Sequence, residues 1–156
     1  MERYVRKIVE AEAAMKEEEQ PLYHTNCAEN LFRSANEKYE LGVDEAFVQA
    51  IIPFGAGMQT ENTCGALLGS LSALGLLYGE AKPTENKKMK AAVIKYVELF
   101  SEKYGCLKCE EIKKHFRDEN DTCTPVKVGA GEILDKVVAN IDAIYAEYLE
   151  KEAEEE

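Results

Sequence analysis

The sequence predicts an all-α protein, a compact multi-helix bundle around a central helix that is rich in small residues. Apolar residues recur at helical spacing in nearly every segment, and no segment of useful length alternates apolar and polar residues as a strand does. Hydrophobic residues make up 46% of the 156 residues, which fits a folded domain with a buried core and not a disordered chain. We therefore expect one domain over residues 1–156, with an acidic tail at 150–156.

The first third of the chain predicts three helices. The first ends near Gln20, and the second starts at Asn26, where Glu29 three residues later gives a pattern like a capping box. Asp44 caps the third. Residues 53–58 then form a glycine-rich loop without the Lys and Ser/Thr of a phosphate-binding loop, so we expect a close backbone turn there and no nucleotide site.

Residues 62–79 form the longest uncharged stretch and predict a buried central helix. The stretch is near the lower length limit of a membrane span, but it contains polar residues and lacks a basic flank. Gly65, Gly69 and Ala73 recur at every fourth position. Because glycine inside a helix costs about 1 kcal/mol relative to alanine, we expect either close helix–helix packing or space for a non-protein group.

The second half predicts a long connection, two further helices with a short one between them, and no internal repeat. Residues 80–90 are polar and contain Pro83, and we expect Thr84 or Asn86 to cap the helix that follows. The last helix carries apolar residues at helical spacing through positions 133–149 and is predicted to be continuous.

The net charge of −11, from 19 basic and 30 acidic residues, disfavours nucleic-acid binding because phosphates require a basic surface. The first residues lack the apolar segment of a signal peptide, so we expect a cytoplasmic protein with no membrane span. In a reducing compartment, clustered cysteines indicate metal or redox chemistry more often than structural disulfides. The odd count of five cysteines also fits complete internal pairing poorly.

Four of the five cysteines are predicted at helix starts: Cys27, Cys64, Cys109 and Cys123. The unpaired N–H groups of a helix start favour negative charge, so we expect these thiols to tend toward the thiolate. Thiolate is the form that binds metal or exchanges disulfides. Four such positions in one small domain suggest a shared sulfur centre or a relay of redox thiols.

Cys106 and Cys109 form a CxxC motif whose chemistry stays open. Glu110 stands where covalent c-type haem attachment needs histidine, and no βαβ pattern supports a thioredoxin-like site. Three alternatives remain: an iron–sulfur cluster on the four helix-start cysteines, zinc on the same thiols, or a cofactor-free thiol–disulfide oxidoreductase using Cys106 and Cys109. The cluster is favoured, because helix starts offset its negative charge and small residues beside Cys64 leave it room.

The histidines add little to this prediction. His24 lies three residues before Cys27 and could supply a further ligand or a proton, as Cys106 could supply a further thiol. His115 follows two lysines and is expected to be solvated. No Ser-His-Asp or Cys-His-Asn set stands out, so no catalytic residue is predicted.

A series of glycine-flanked cysteine motifs follows one order along the chain: NCAE at 26–29, PFGAGM at 53–58, TCGALLG at 63–69, LGLLYG at 74–79, YG at 104–105 before Cys109, and Cys123. In this order the chain resembles a redox-active family described by its cysteine pattern, C_GCAxxG_C_C. The resemblance runs from about Cys27 to Cys123, within a family-like core of about residues 21–150.

This resemblance implies a helical redox or metal-binding protein, related in this domain to the iron–sulfur domain of split-Soret cytochromes. It implies that the family cysteines are Cys27, Cys64, Cys109 and Cys123. The chain departs from the family pattern in three ways: Thr63 replaces a glycine, Gly65 separates Cys64 from Ala66, and Cys106 is additional. The haem-attachment motifs of the cytochromes are missing, so haem is not expected.

Two partners are expected. An electron carrier needs a redox partner protein. A homodimer is also predicted, because the small-residue face of the Cys64 helix and the apolar stripe of the last helix exceed what one core of this size is expected to cover.

Overall fold

The computed structural model describes residues 1–82, 84 and 86–155. Pro83, which the sequence places in the long connection, lies outside them. The described residues contain nine α-helices and only two isolated β-bridges, so the all-α prediction is confirmed. The helices are α1 (Glu2–Ala13), α2 (Gln20–Tyr23), α3 (Cys27–Tyr39), α4 (Glu45–Gln49), α5 (Gly65–Tyr78), α6 (Lys87–Tyr104), α7 (Cys109–Phe116), α8 (Thr124–Ala139) and α9 (Ile141–Glu155).

Helix α5 lies at the centre of the bundle, as predicted, and packs against α3, α6 and α8. Its Leu67 and Leu74 are buried. The hydroxyl of Tyr96 on α6 lies 2.8 Å from Ser70 Oγ on α5 and 3.0 Å from the carbonyl oxygen of Ala130 on α8. This buried polar contact joins the three helices. No helix in the described part of the chain is long and apolar enough to cross a bilayer.

The glycines of α5 allow a close approach to α3. A Cβ at Gly69 would collide with the carbonyl oxygen of Ala28, and one at Gly65 would lie 2.5 Å from Cys27 Sγ. Gly75, in contrast, has open space around it. The sequence allows either close helix–helix packing or space for a non-protein group, and the first two turns of α5 therefore support close packing.

Two of the predicted helices are divided in the structure. The first prediction, a helix to near Gln20, was too long, because Gln20 begins α2 and its amide donates to the Met15 carbonyl oxygen at 3.0 Å. The prediction of one continuous helix through residues 133–149 was also wrong, since the chain breaks at Asn140 between α8 and α9. The side-chain amide of Asn140 donates to the Lys136 carbonyl oxygen at 2.8 Å. It thereby pairs one of the carbonyl groups that have no backbone partner at the end of α8.

The predicted helix caps differ in outcome. Asn26 and Asp44 are confirmed, because each side-chain oxygen accepts hydrogen bonds from N–H groups in the first turn of its helix. Asn86 directly precedes α6, but its side chain does not cap that helix and instead accepts a hydrogen bond from the Glu80 N–H. Thr84 lies too early to cap it.

The surfaces that suggested a homodimer are covered only in part within the monomer. The small residues at the start of α5 contact α3, and apolar residues of α8 lie in the core. Helix α9 packs on α6 and α8, but its apolar residues stay partly exposed, and Leu149 has 38% of its surface exposed. The homodimer stays a prediction.

Replacing Gly69 with alanine should destabilise the protein by about 1–3 kcal/mol, because the added methyl group forces α3 and α5 apart. Gly75→Ala is the matched control on the same helix. It should be neutral or stabilising by up to about 1 kcal/mol, since its new methyl group meets no atom and alanine favours the helix. Urea unfolding of both variants, prepared identically, measures the difference. Equal effects at the two sites would show that the α3–α5 contact is not tight.

Candidate functional site

Four cysteine-bearing helix starts lie close together in the structure. Cys27 and Cys109 are the first residues of α3 and α7, and Cys64 and Cys123 directly precede α5 and α8. Cys27, Cys109 and Cys123 line one cavity of about 250 Å³. Cys64 does not line it, but its thiol interacts electrostatically with those of Cys27 and Cys109. The fold thus assembles the four cysteines that the sequence analysis selected.

Backbone hydrogen bonds hold the starts of α5 and α7 side by side. The Cys64 N–H donates to the Leu107 carbonyl oxygen at 2.8 Å, and the Cys109 N–H donates to the Asn62 carbonyl oxygen at 2.5 Å. Because these bonds involve the main chain of both cysteines, the positions of the two residues are fixed relative to each other.

A left-handed turn packs against this pair of helix starts. Residues 56–59 all have positive φ, and Gly57 lies at 63°. A Cβ at Gly57 would lie 2.7 Å from the Cβ of Cys109, so only glycine fits there. The close backbone turn predicted from the glycine-rich loop is therefore confirmed. Its non-glycine residues, including Ala56 on the cavity wall, occupy a backbone region that is unfavourable for side chains.

The expectation that these thiols tend toward the thiolate was wrong for three of them. Burial raises the pKa of Cys64 to about 12 and that of Cys109 to about 11, and burial also raises the pKa of Cys123. The backbone N–H groups of Leu67 and Ala66 act in the opposite direction on the Cys64 pKa, but they do not outweigh burial. In the metal-free protein these three thiols are protonated at neutral pH. A bound metal ion supplies the charge that deprotonates such ligands.

The other predicted candidates occupy different positions. Cys106 does not line the cavity, and its Sγ lies 3.9 Å from the carbonyl oxygen of Lys108. His24 does line the cavity, with Nδ1 3.1 Å from a carboxylate oxygen of Glu12. His115 is exposed in the last turn of α7, as predicted.

Three basic residues line the cavity, and sequence reasoning missed them: Lys113, Arg117 and Lys127. Lys113 pairs with Glu61. Arg117 is exposed, and within the described part of the chain it forms no ion pair. The positive charge that these residues bring to the cavity wall contrasts with the net charge of −11 for the whole chain.

Lys127 differs from the other two because it is buried, with 4% of its surface exposed. Burial lowers the pKa of its ammonium group, while Glu12 and Cys27 act in the opposite direction. Its position four residues after Cys123 places both on the same face of α8. That spacing was the available sequence signal, but burial of the lysine could only be seen in the fold.

Three of the four candidate cysteines line the cavity and Cys64 lies beside two of them, and four cysteine thiolates are the donor set of an iron–sulfur cluster. Among the described residues, no three His, Cys, Asp or Glu side chains lie close enough to share one metal ion. A single zinc ion, with Zn–S bonds of about 2.3 Å, requires its sulfurs within about 4.6 Å of one another.

Comparison with known proteins identifies one family. Residues 25–137 match the model of the family described as "Putative redox-active protein (C_GCAxxG_C_C)". The matched segment contains all five cysteines and the starts of α3, α5, α7 and α8. Neither a curated protein nor a solved structure matches the chain.

Cys64 of the metal-free protein should react with iodoacetamide at pH 8 at least about a hundredfold more slowly than in the urea-unfolded chain. The reason is its pKa of about 12, against about 8.5 for an ordinary cysteine, which leaves little thiolate at that pH. Because the pKa is raised, the rate should increase about tenfold for each pH unit above 8. Mass spectrometry of peptides after timed quenching measures each cysteine separately. Equal rates in the folded and unfolded protein would contradict the burial of this thiol.

Proposed function

Since the chain belongs to the C_GCAxxG_C_C family of redox-active proteins, we propose that it is an electron carrier whose Cys27, Cys64, Cys109 and Cys123 bind an iron–sulfur cluster. The observation that carries this proposal is that four cysteine-bearing helix starts lie close together, three of them on the wall of one cavity and Cys64 beside two of those three. When bound, such a cluster supplies a site that accepts and releases one electron without forming or breaking a bond in a substrate.

The helix starts place backbone N–H groups near the sulfur atoms. Those of Leu67 and Ala66 lower the pKa of Cys64, so they favour its thiolate. Donors that stabilise negative charge on a ligand sulfur help to set a reduction potential. Cys64 and Cys109, with 4% and 6% of their surfaces exposed, form the part of the site that excludes water.

The half-buried side of the site provides the route for electrons. Cys27 and Cys123 line the cavity and are less buried than Cys64 and Cys109. We place the redox partner protein on this side of the cavity, where the exposed Arg117 favours a partner with acidic residues.

Two other functions use the same cysteines differently. Zinc on the four thiols would give a structural site without redox activity of the metal. A cofactor-free oxidoreductase would use Cys106 and Cys109, although Cys106 is the cysteine that the cavity leaves out. Both alternatives make different predictions for metal content.

Protein purified without oxygen should contain iron and acid-labile sulfide, and replacing Cys109 with serine should remove most of both. Cys106→Ser is the matched control and should leave the content nearly unchanged, because Cys106 does not line the cavity. Elemental analysis for iron and zinc, sulfide determination and visible absorption provide the measurements.

Three outcomes would contradict this proposal. A colourless, iron-free protein with dithiol oxidoreductase activity would establish the thiol enzyme. One zinc ion without sulfide would establish a structural site. Equal loss of iron in the Cys106 and Cys109 variants would show that the CxxC pair acts as a unit.

A further inference from the structure

Lys127 is a buried residue that forms no ion pair within the described part of the chain. Within the described part of the chain its side chain makes no hydrogen bond or ion pair, although only 4% of its surface is exposed. It lines the thiol cavity and also a second cavity of about 270 Å³ that contains Glu12 and Asp121. Both carboxylates interact with it electrostatically, but neither forms an ion pair with it.

Those two carboxylates already have other partners. Glu12 accepts a hydrogen bond from the Thr25 N–H at 2.9 Å and lies 3.1 Å from the His24 ring. Asp121 pairs with Arg6 at 3.4 Å. Lys127 therefore forms no ion pair with either carboxylate, although both act to raise its pKa, and burial of its side chain lowers that pKa. The thiol cavity is where a compensating negative charge can be accommodated.

The position of Lys127 on α8 directs it to that cavity. Its N–H donates to the Cys123 carbonyl oxygen at 2.9 Å, one helical turn away, and both residues line the cavity wall. When ionised, Cys27 and Cys123 are also among the groups that raise its pKa. One helix thus presents a sulfur ligand and a cation to the same space.

We propose that Lys127 is the countercharge of the cluster in the thiol cavity, a positioning residue that favours the reduced state. This inference rests on the proposed function. Four thiolates bring four negative charges that the cluster core offsets only in part, and reduction adds one more. A buried positive charge stabilises that added electron more strongly than an exposed one such as Arg117, which water and salt screen.

The test compares reduction midpoints of anaerobically purified protein by titration with dithionite under visible absorption. Lys127→Met should shift the equilibrium between oxidised and reduced cluster at least tenfold toward the oxidised form, about 59 mV for a one-electron couple. Lys136→Met is the matched control, because Lys136 is exposed on the same helix and does not line the cavity. It should leave the midpoint near that of the wild type. Lys127→Arg, which keeps the charge, should do the same.

Iron and sulfide content of every variant separates the possible failures. Loss of the cluster in Lys127→Met and Lys127→Gln, with retention in Lys127→Arg, supports a countercharge that the cluster needs for binding. Loss of the cluster in Lys127→Arg as well overturns the inference, because Lys127 would then act through packing and not through its charge. A fully loaded Lys127→Met protein with an unchanged midpoint overturns the inference and leaves the proposed function intact. A wild-type protein that contains neither iron nor sulfide would contradict both this inference and the proposed function.

Discussion

The close contact between α3 and α5 is the constraint on which the site depends, because it sets the distance between two of the four thiols. A side chain at Gly65 would occupy the space next to the Cys27 sulfur, and a side chain at Gly69 would push α3 away. The contact places the starts of both helices together, and the backbone bond from Cys109 to the loop before α5 then brings in α7. The same glycines therefore serve packing and the arrangement of the thiols.

The side chains that line the cavity include several basic residues, in contrast to the negative net charge of the whole protein. The chain carries a net charge of −11, yet three basic residues line this cavity and Lys127 is buried there. In the metal-free protein, burial keeps the Cys64 and Cys109 thiols protonated despite nearby helix N–H groups. A fixed positive environment around protonated thiols is suited to an anionic metal centre that displaces their protons on binding.

Local signals in the sequence account for the parts that were predicted correctly. Asn26 caps α3 with its own side chain, so the position of Cys27 at a helix start could be inferred from neighbouring residues.

Other features of the structure could not be predicted from the sequence. Asn140 ends α8 through a bond from its side-chain amide to a nearby carbonyl group, a competition between side chain and backbone that helical spacing does not reveal. The raised pKa of Cys64 and the burial of Lys127 depend on helices distant in sequence, and residue patterns cannot supply them.

Iron K-edge X-ray absorption of the anaerobically purified protein identifies the atoms around the metal. We expect iron surrounded by sulfur atoms, with a second iron atom nearby, because thiolates and bridging sulfide are the ligands of an iron–sulfur cluster. Replacing Cys64 with serine should reduce this signal, since Cys64 is the most deeply buried of the four proposed ligands. Iron bound only by oxygen or nitrogen, or a protein that contains zinc and no iron, would rule out an iron–sulfur cluster on these cysteines.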